Sequence, residues 1–171
     1  MIKGDIHCIS PFVKVNEEME LHLLADKPEF IPQIAKWYSD EWGYIGTGRN
    51  TEALELKLAD YLNRDTLPLI VLIIENDILL GAAQLKFREM DIYPEKEHWL
   101  GGVYIDKPYR GQGIATRLIN QVIKLAKQHQ VCHLYLQTED HSGGLYTQLG
   151  WQAIEQVNYK NVDVLVMEKT L

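Results

Sequence analysis

The stretch YRGQGIATRL, residues 109–118, sets two glycines around one glutamine, places an arginine before them and begins an apolar helical pattern at once. A helix more often opens on serine, threonine, asparagine or aspartate, whose side chain caps an unpaired N–H of the first turn. Here the entrance carries no acid, and Asp106 and Glu139 are the nearest acidic residues on either side. Gly111 and Gly113 leave the amides unshielded, and Arg110 adds a planar fork of donors that suits phosphate. The pair can be a tight turn. It can also be a helix N-terminus whose cap is an anion from outside the chain.

Charge distribution favours the anion. No Asp or Glu occurs from Lys107 to Thr138, whereas Lys107, Arg110, Arg117, Lys124 and Lys127 all do. The whole chain has 17 Lys and Arg against 24 Asp and Glu, a net charge of −7. A basic, acid-free window in an acidic protein suggests a local anion site. Chance, helped by the cations of a helix C-terminus, is the competing account. The Gly-x-x-x-x-Gly-Lys-Ser/Thr of a P-loop is absent, as is the third glycine of a dinucleotide fingerprint.

Outward from this stretch the period of the apolar residues assigns the elements. MELHLLA (19–25) suits a strand, and KPEFIPQIAKWYSDEW (27–42) a helix with Pro28 in its first turn and Pro32 awkwardly early. GYIGTGRN is a loop. TEALELKLADYLNR (51–64) predicts an amphipathic helix capped by Thr51, with Leu54, Leu58, Tyr61 and Leu62 on one face. LPLIVLIIE (67–75) and ILLGAAQLKFREM (78–90) read as a hairpin turning at Asn76–Asp77. HWLGGVYID (98–106) is a strand whose Gly101–Gly102 pair suggests a bulge or a close backbone approach.

A long helix at about 113–129 follows, with Ala115, Leu118, Ile119, Val122, Leu125 and Ala126 on its apolar face. VCHLYLQT (131–138) is a strand and HSGGLYTQLG (141–150) a short helix or turn. WQAIEQV and VDVLVMEKT close the chain as two strands around NYKN. The fold class is therefore α/β (α+β): a mixed, mostly antiparallel central sheet with flanking helices and one crossover.

With 171 residues and 46% hydrophobic content the chain fits one domain, 19–171, behind an N-terminal lead-in at 1–18. No apolar run reaches the roughly 18–20 residues that cross a bilayer, and the start lacks a signal-peptide pattern. A cytoplasmic protein acting without membrane is expected, with Cys8 and Cys132 reduced. The charge of −7 speaks against nucleic acid as a partner and suits a cationic small molecule or a basic peptide.

VYIDKPYRGQGIATRLI resembles the signature of the GCN5-related N-acetyltransferase (GNAT) superfamily. Its Gln/Arg-x-x-Gly-x-Gly/Ala motif is matched by Arg110, Gly113 and Ala115. LYTQLGW (145–151) resembles the family's C-terminal Phe-Tyr-x-x-x-Gly-Phe, about 30 residues on as in the family. The resemblance covers roughly residues 20–170. It implies splayed central strands and acetyl-coenzyme A as co-substrate. It implies that the backbone of Gly111, Gln112, Gly113, Ile114, Ala115 and Thr116 cradles the pyrophosphate beside Arg110. Val103, Tyr104 and Ile105 would then pair with the pantetheine arm, and Tyr146 would be the general acid.

Without the resemblance, Tyr146 reads as a packing residue. The glutamate that many family members carry before the phosphate loop falls here on Trp99, which accepts no proton. His98 or Glu97 is then the candidate base, with a water chain to a surface carboxylate as the alternative. Asp40, Glu41, Trp42, Asp91 and Tyr93 combine acids with aromatics and are candidates for the amine acceptor. Glu139, Asp140 and His141 follow the splayed strand and are further candidates.

His7–Cys8 and Cys132–His133 lack metal-ligand spacing, so no metal is expected. The resulting expectation is an acetyltransferase that moves acetyl directly to a primary amine, in a monomer or homodimer. The acceptor is a small molecule or a peptide. A non-catalytic domain that binds acyl-coenzyme A as a sensor is the alternative.

Overall fold

The computed structural model describes residues 19–43 and 50–171; the lead-in at 1–18 and positions 44–49 of the GYIGTGRN loop lie outside the described residues. In chain order come β1 (Glu20–Leu23), α1 (Ile31–Trp42), α2 (Thr51–Ala59), β2 (Leu69–Glu75), β3 (Ile78–Phe87), β4 (His98–Ile105), α3 (Ile114–Gln128), β5 (His133–Thr138), α4 (Gly144–Gln148), β6 (Gln152–Tyr159) and β7 (Val162–Thr170). The strands form one sheet in the order β1-β2-β3-β4-β5-β7-β6. All neighbours are antiparallel except β4 and β5, which α3 connects in parallel. This is the α+β architecture that the periodicities predict.

Each face of the sheet buries a separate layer. On one side α3 inserts Leu118, Ile119, Val122 and Ala126, all fully buried, against alternate residues of β2, β3 and β5 such as Val71, Leu85 and Leu134. Each large aliphatic side chain so buried is worth about 1.5–3 kcal/mol. On the other side α1 lays Ile34, Trp37 and Tyr38 over Ile70, Leu72 and Tyr104. Because both faces are covered, β2 is buried along nearly its whole length, which explains its unbroken apolar run.

Three boundaries differ from the expectation. Residues 28–30 form a separate 3-10 turn, so α1 begins at Ile31 and Pro32 falls in its first turn, where no N–H is needed. The cap of α2 is Asn50, whose side chain accepts from the Ala53 amide at 3.1 Å, rather than Thr51. α2 also stops at Ala59 instead of running to Arg64. Asn63 donates its side-chain amide to the Asp60 and Pro68 carbonyls and so satisfies the unwinding chain. Leu62 consequently lies 38% exposed rather than on a buried face.

Candidate active site

The first feature is the entrance to α3. Gly111 (φ 77°) and Gly113 (φ 76°) both adopt the left-handed region that favours glycine. A Cβ built on either meets nothing within 4 Å, so this loop faces open space. Gly113 occupies the N-cap position and offers no side-chain cap. Among the described residues no acceptor takes the amides of Gly111, Gln112, Gly113, Ile114, Ala115 or Thr116. A row of such donors at the positive end of a helix is a site for a polyanion. Arg110 donates Nε–H to the Ile105 carbonyl at 2.9 Å and lies 5.3 Å from the Tyr104 ring centroid. That anchors it where β4 passes into the loop.

The second feature is a split in the sheet. β4 and β5 share a single register position, Trp99 with Tyr135. Beyond it, toward Ile105 and Thr138, they diverge, and the facing edges have no strand between them. Opposite, Ala82 pairs with Tyr104 and Gln84 with Gly101, so Gly102 and Val103 together face Ala83. This is a bulge in β4, as the glycine pair predicts, and Gly102 sits at φ 53°. The Tyr38 hydroxyl donates to the Gly102 carbonyl at 2.7 Å and also hydrogen-bonds Gln84. Burial, followed by the neighbouring Tyr61 phenol, pushes the Tyr38 hydroxyl far above its ordinary value.

The split opens into a cleft of about 620 Å³. Its floor is β4 at Leu100–Val103 and its walls are α1, α2, the end of β5 and the tip of the β6–β7 hairpin. Tyr146, from α4, enters from the opposite face of the sheet. It is largely buried, packed edge-on to Trp151 with ring centroids 6.2 Å apart, and burial raises its hydroxyl above the ordinary value. It therefore keeps its proton at neutral pH.

The candidate residues divide. Val103, Tyr146, Glu41 and Trp42 line the cleft together. Tyr38, Glu41 and Trp42 lie three and four positions apart and share one face of α1. Asp40 is turned about 100° away and pairs with Lys36 at 2.5 Å. Asp91 and Tyr93 also stand outside the lining. The Asp91 amide reaches the Tyr159 hydroxyl at 3.5 Å, and Tyr93 donates to Glu155. Burial and that carboxylate push the Tyr93 hydroxyl up to about 12.

Neither base candidate reaches the cleft. Glu97 is exposed, with its carbonyl accepting from the Arg88 amide at 2.8 Å. His98 lies beside Phe87, with ring centroids 5.3 Å apart, because alternation along β4 sends it to the side opposite Trp99. Trp99 itself is fully buried, its Nε1–H donating to the Lys96 carbonyl at 2.7 Å.

Sequence reasoning passed over Gln84, Lys86 and Gln137, and it points to the stretches 38–46 and 88–97 for the acceptor without singling out Tyr38 or Glu89; all five line the cleft. A signal was available for one of them. Gln84 interrupts an apolar strand and is 6% exposed, and a buried polar residue in such a run is informative. Glu139 and Asp140 line the cleft too, whereas His141 does not and contacts the Asp163 carbonyl at 3.2 Å. Among the described residues no group of three or more His, Cys, Asp or Glu could hold a metal ion, and no helix is long and apolar enough to cross a membrane. His7 and Cys8 lie outside the described residues.

Comparison with known proteins extends this geometry. A family model described as Acetyltransferase (GNAT) family matches residues 31–151. No curated protein matches the chain. Among solved structures, a ribosomal-protein-alanine N-acetyltransferase from Brucella melitensis is 21% identical, with a TM-score of 0.68 over 90% of this chain and 99% of that one. An aminoglycoside 6'-acetyltransferase type Ii is 19% identical at a TM-score of 0.69, over 89% of this chain and 97% of that one. The yncA protein of Salmonella typhimurium, solved with its cofactor acetyl-CoA, is 19% identical at 0.69, over 90% and 94%.

Proposed function

The chain belongs to the acetyltransferase (GNAT) family, and from that premise we propose that it moves the acetyl group of acetyl-coenzyme A directly to a primary amine, with both substrates bound at once. The observation that carries this reading is the meeting of two features in one place. The unpaired amides at Gly111–Thr116 follow the end of β4 that parts from β5, and Tyr146 lines the cleft at that split.

The residues present fit the coenzyme. The glycine loop has room for a pyrophosphate, and Arg110 is anchored at its edge. The unpaired edge of β4 at Val103–Ile105 can hydrogen-bond an extended pantetheine arm as a further strand would. When bound, acetyl-coenzyme A supplies an activated acetyl group.

The protein's own groups do the rest. A backbone N–H at the β4 bulge, which Tyr38 fixes, would polarise the acetyl carbonyl. Tyr146 gives its phenolic proton to the departing sulfur. A thiol has an unperturbed pKa of about 8.5 and a phenol one of about 10, so the phenol stays protonated until the sulfur leaves. The phenolate then takes the second proton of the amine nitrogen as the amide forms, which restores the acid.

Glu41, Glu89, Glu139 and Asp140 stand around the acceptor side with Trp42, Tyr61 and Tyr159. Acids interleaved with aromatics suit a cationic amine. The neighbours named for ribosomal-protein alanine and for an aminoglycoside motivate testing both peptide and small-molecule acceptors.

Trp99 favours a second reading, an acyl-coenzyme A sensor without catalysis, because it fills with a buried indole the strand position expected for a carboxylate. Calorimetry with acetyl-coenzyme A and thiol release with spermidine, kanamycin and an alanine-N-terminal peptide separate the two. Binding with amine-dependent thiol release supports transfer; binding without it for any acceptor supports the sensor. No binding overturns both.

A further inference from the structure

A polar cluster at the end of β3 belongs neither to the core nor to the coenzyme end of the cleft. β3 finishes at Phe87, and Arg88 turns the chain in the left-handed region, φ 43°, with its N–H donating to the Glu97 carbonyl at 2.8 Å. That conformation is uncommon for a non-glycine residue. Its result is that Glu89 lies in the cleft. The carboxylate accepts from Gln137 Nε2 at 3.0 Å and pairs with Lys86 Nζ. The side chains of Lys86 and Glu89 are 18% and 23% exposed. Gly101 makes the arrangement possible, since a Cβ there would lie 2.7 Å from Lys86 Cε. Glu89 thus bridges β3 to β5, over the glycine of β4, beside the gap where β4 and β5 part.

We propose that Glu89 is the catalytic residue that takes the proton of the acceptor's ammonium; the assignment rests on the acetyltransferase reading above. An ionised carboxylate offers about four lone-pair positions. Gln137 and Lys86 occupy one each and hold the side chain in a single rotamer, leaving the others for the acceptor. Tyr61 faces the same carboxylate: after burial, the Glu89 charge is the main cause that raises the Tyr61 hydroxyl. The remaining charged or titratable groups on the cleft come from every wall: Tyr38 and Glu41 from α1, Lys57 from α2, Glu139 and Asp140 after β5, Tyr146 from α4, and Tyr159 and Lys160 from the hairpin tip. Glu89 is braced from both sides of the split, by Lys86 of β3 and Gln137 of β5.

In the step, an N–H bond of the ammonium breaks and its proton passes to Glu89 Oε, directly or through one water. The electron pair stays on nitrogen for attack on the acetyl carbon. The carboxyl group then returns the proton to solvent through the open side of the cleft.

The test is kcat/KM against pH for Glu89→Gln with spermidine, kanamycin and an alanine-N-terminal peptide, alongside calorimetry with acetyl-coenzyme A. The variant is expected to lose roughly 100-fold in kcat/KM near pH 7 for any acceptor the unaltered protein uses. Its affinity for acetyl-coenzyme A should stay within about twofold. The deficit should shrink as pH approaches the amine's own pKa, near 10 for an alkylamine, because less ammonium then needs a base. Glu89→Asp, which keeps the charge, should fall between the two and guards against a folding defect in Glu89→Gln. Unaltered kcat/KM and pH profile in Glu89→Gln overturn the assignment alone. Silence of the unaltered protein with all three amines despite coenzyme binding overturns the transferase reading, and the assignment falls with it.

Discussion

Tyr38 and Gly102 are 64 residues apart in the chain, yet the phenol of one donates to the carbonyl of the other at 2.7 Å. That bond ties α1 to the β4 bulge, so the helical wall and the strand floor of the cleft share one fixed point. A Cβ on Gly102 would meet the Tyr38 hydroxyl at 2.6 Å and the Gln84 side chain at 2.8 Å.

Gly102→Ala is therefore expected to be costly twice over. The new methyl group overlaps both partners, and φ 53° is strained for alanine. A loss of about 2–4 kcal/mol in a chemical-denaturation experiment is expected, with acetyl transfer reduced more than the remaining folded fraction explains. Tyr38→Phe should cost only about 1 kcal/mol, because it removes a hydrogen bond without adding volume.

Gly113→Ala tests the coenzyme loop. Its Cβ meets nothing in the protein, so the folded state loses only about 1 kcal/mol from the left-handed backbone. Affinity for coenzyme A should nevertheless drop at least tenfold in calorimetry, because the methyl group stands among the amides. Salt should weaken the native affinity, as it screens the basic loop from the pyrophosphate.

Tyr146→Phe removes the proposed acid and leaves the packing against Trp151 intact. Thiol release should fall roughly 100-fold with the coenzyme Kd little changed. Burial raises the Tyr146 hydroxyl, so in the unaltered protein the loss of its proton should limit the rate only above about pH 10.

The same burial sets an alkaline limit on stability. Tyr38, Tyr61 and Tyr146 have hydroxyls raised in the folded state, chiefly by burial. Above pH 10 the unfolded chain releases these protons while the native state retains them. The stabilisation is whole below that pH and declines as pH rises beyond it. Thermal melts between pH 9 and 11.5 should show the midpoint falling, and Tyr61→Phe should flatten the slope.

Asn50→Ala should destabilise by about 1 kcal/mol, because it leaves the Ala53 amide uncapped, whereas Thr51→Ala should be near neutral. Denaturation curves of the two variants distinguish them directly.

Much of this architecture was legible in the residue order. The unbroken apolar run of β2, the apolar return of β3, the 3.6-residue period of α3 and the glycine pair before it dictate strands, crossover and an uncapped helix entrance, because each is a local property of the chain. The bulge was legible for the same reason, since Gly101–Gly102 interrupts a strand. The acceptor side was not. Glu89 reaches the cleft only through the left-handed turn at Arg88, and its partner Gln137 lies 48 residues away on another strand. Nothing in the spacing of those residues announces the meeting. Asp40 and Glu41 show the same limit at finer scale: one residue of helix separates a carboxylate paired with Lys36 from one that faces the cleft.

Where β4 meets β5 the described ladder has the single register position Trp99 with Tyr135, so the sheet divides into two leaves, one of four strands and one of three. The amides proposed to hold the coenzyme pyrophosphate sit at the start of α3, apart from that junction. Substitutions beside Tyr135 could therefore retune the gap for a propionyl or butyryl chain and leave the grip untouched, so donor length and coenzyme affinity become independently adjustable properties of one scaffold.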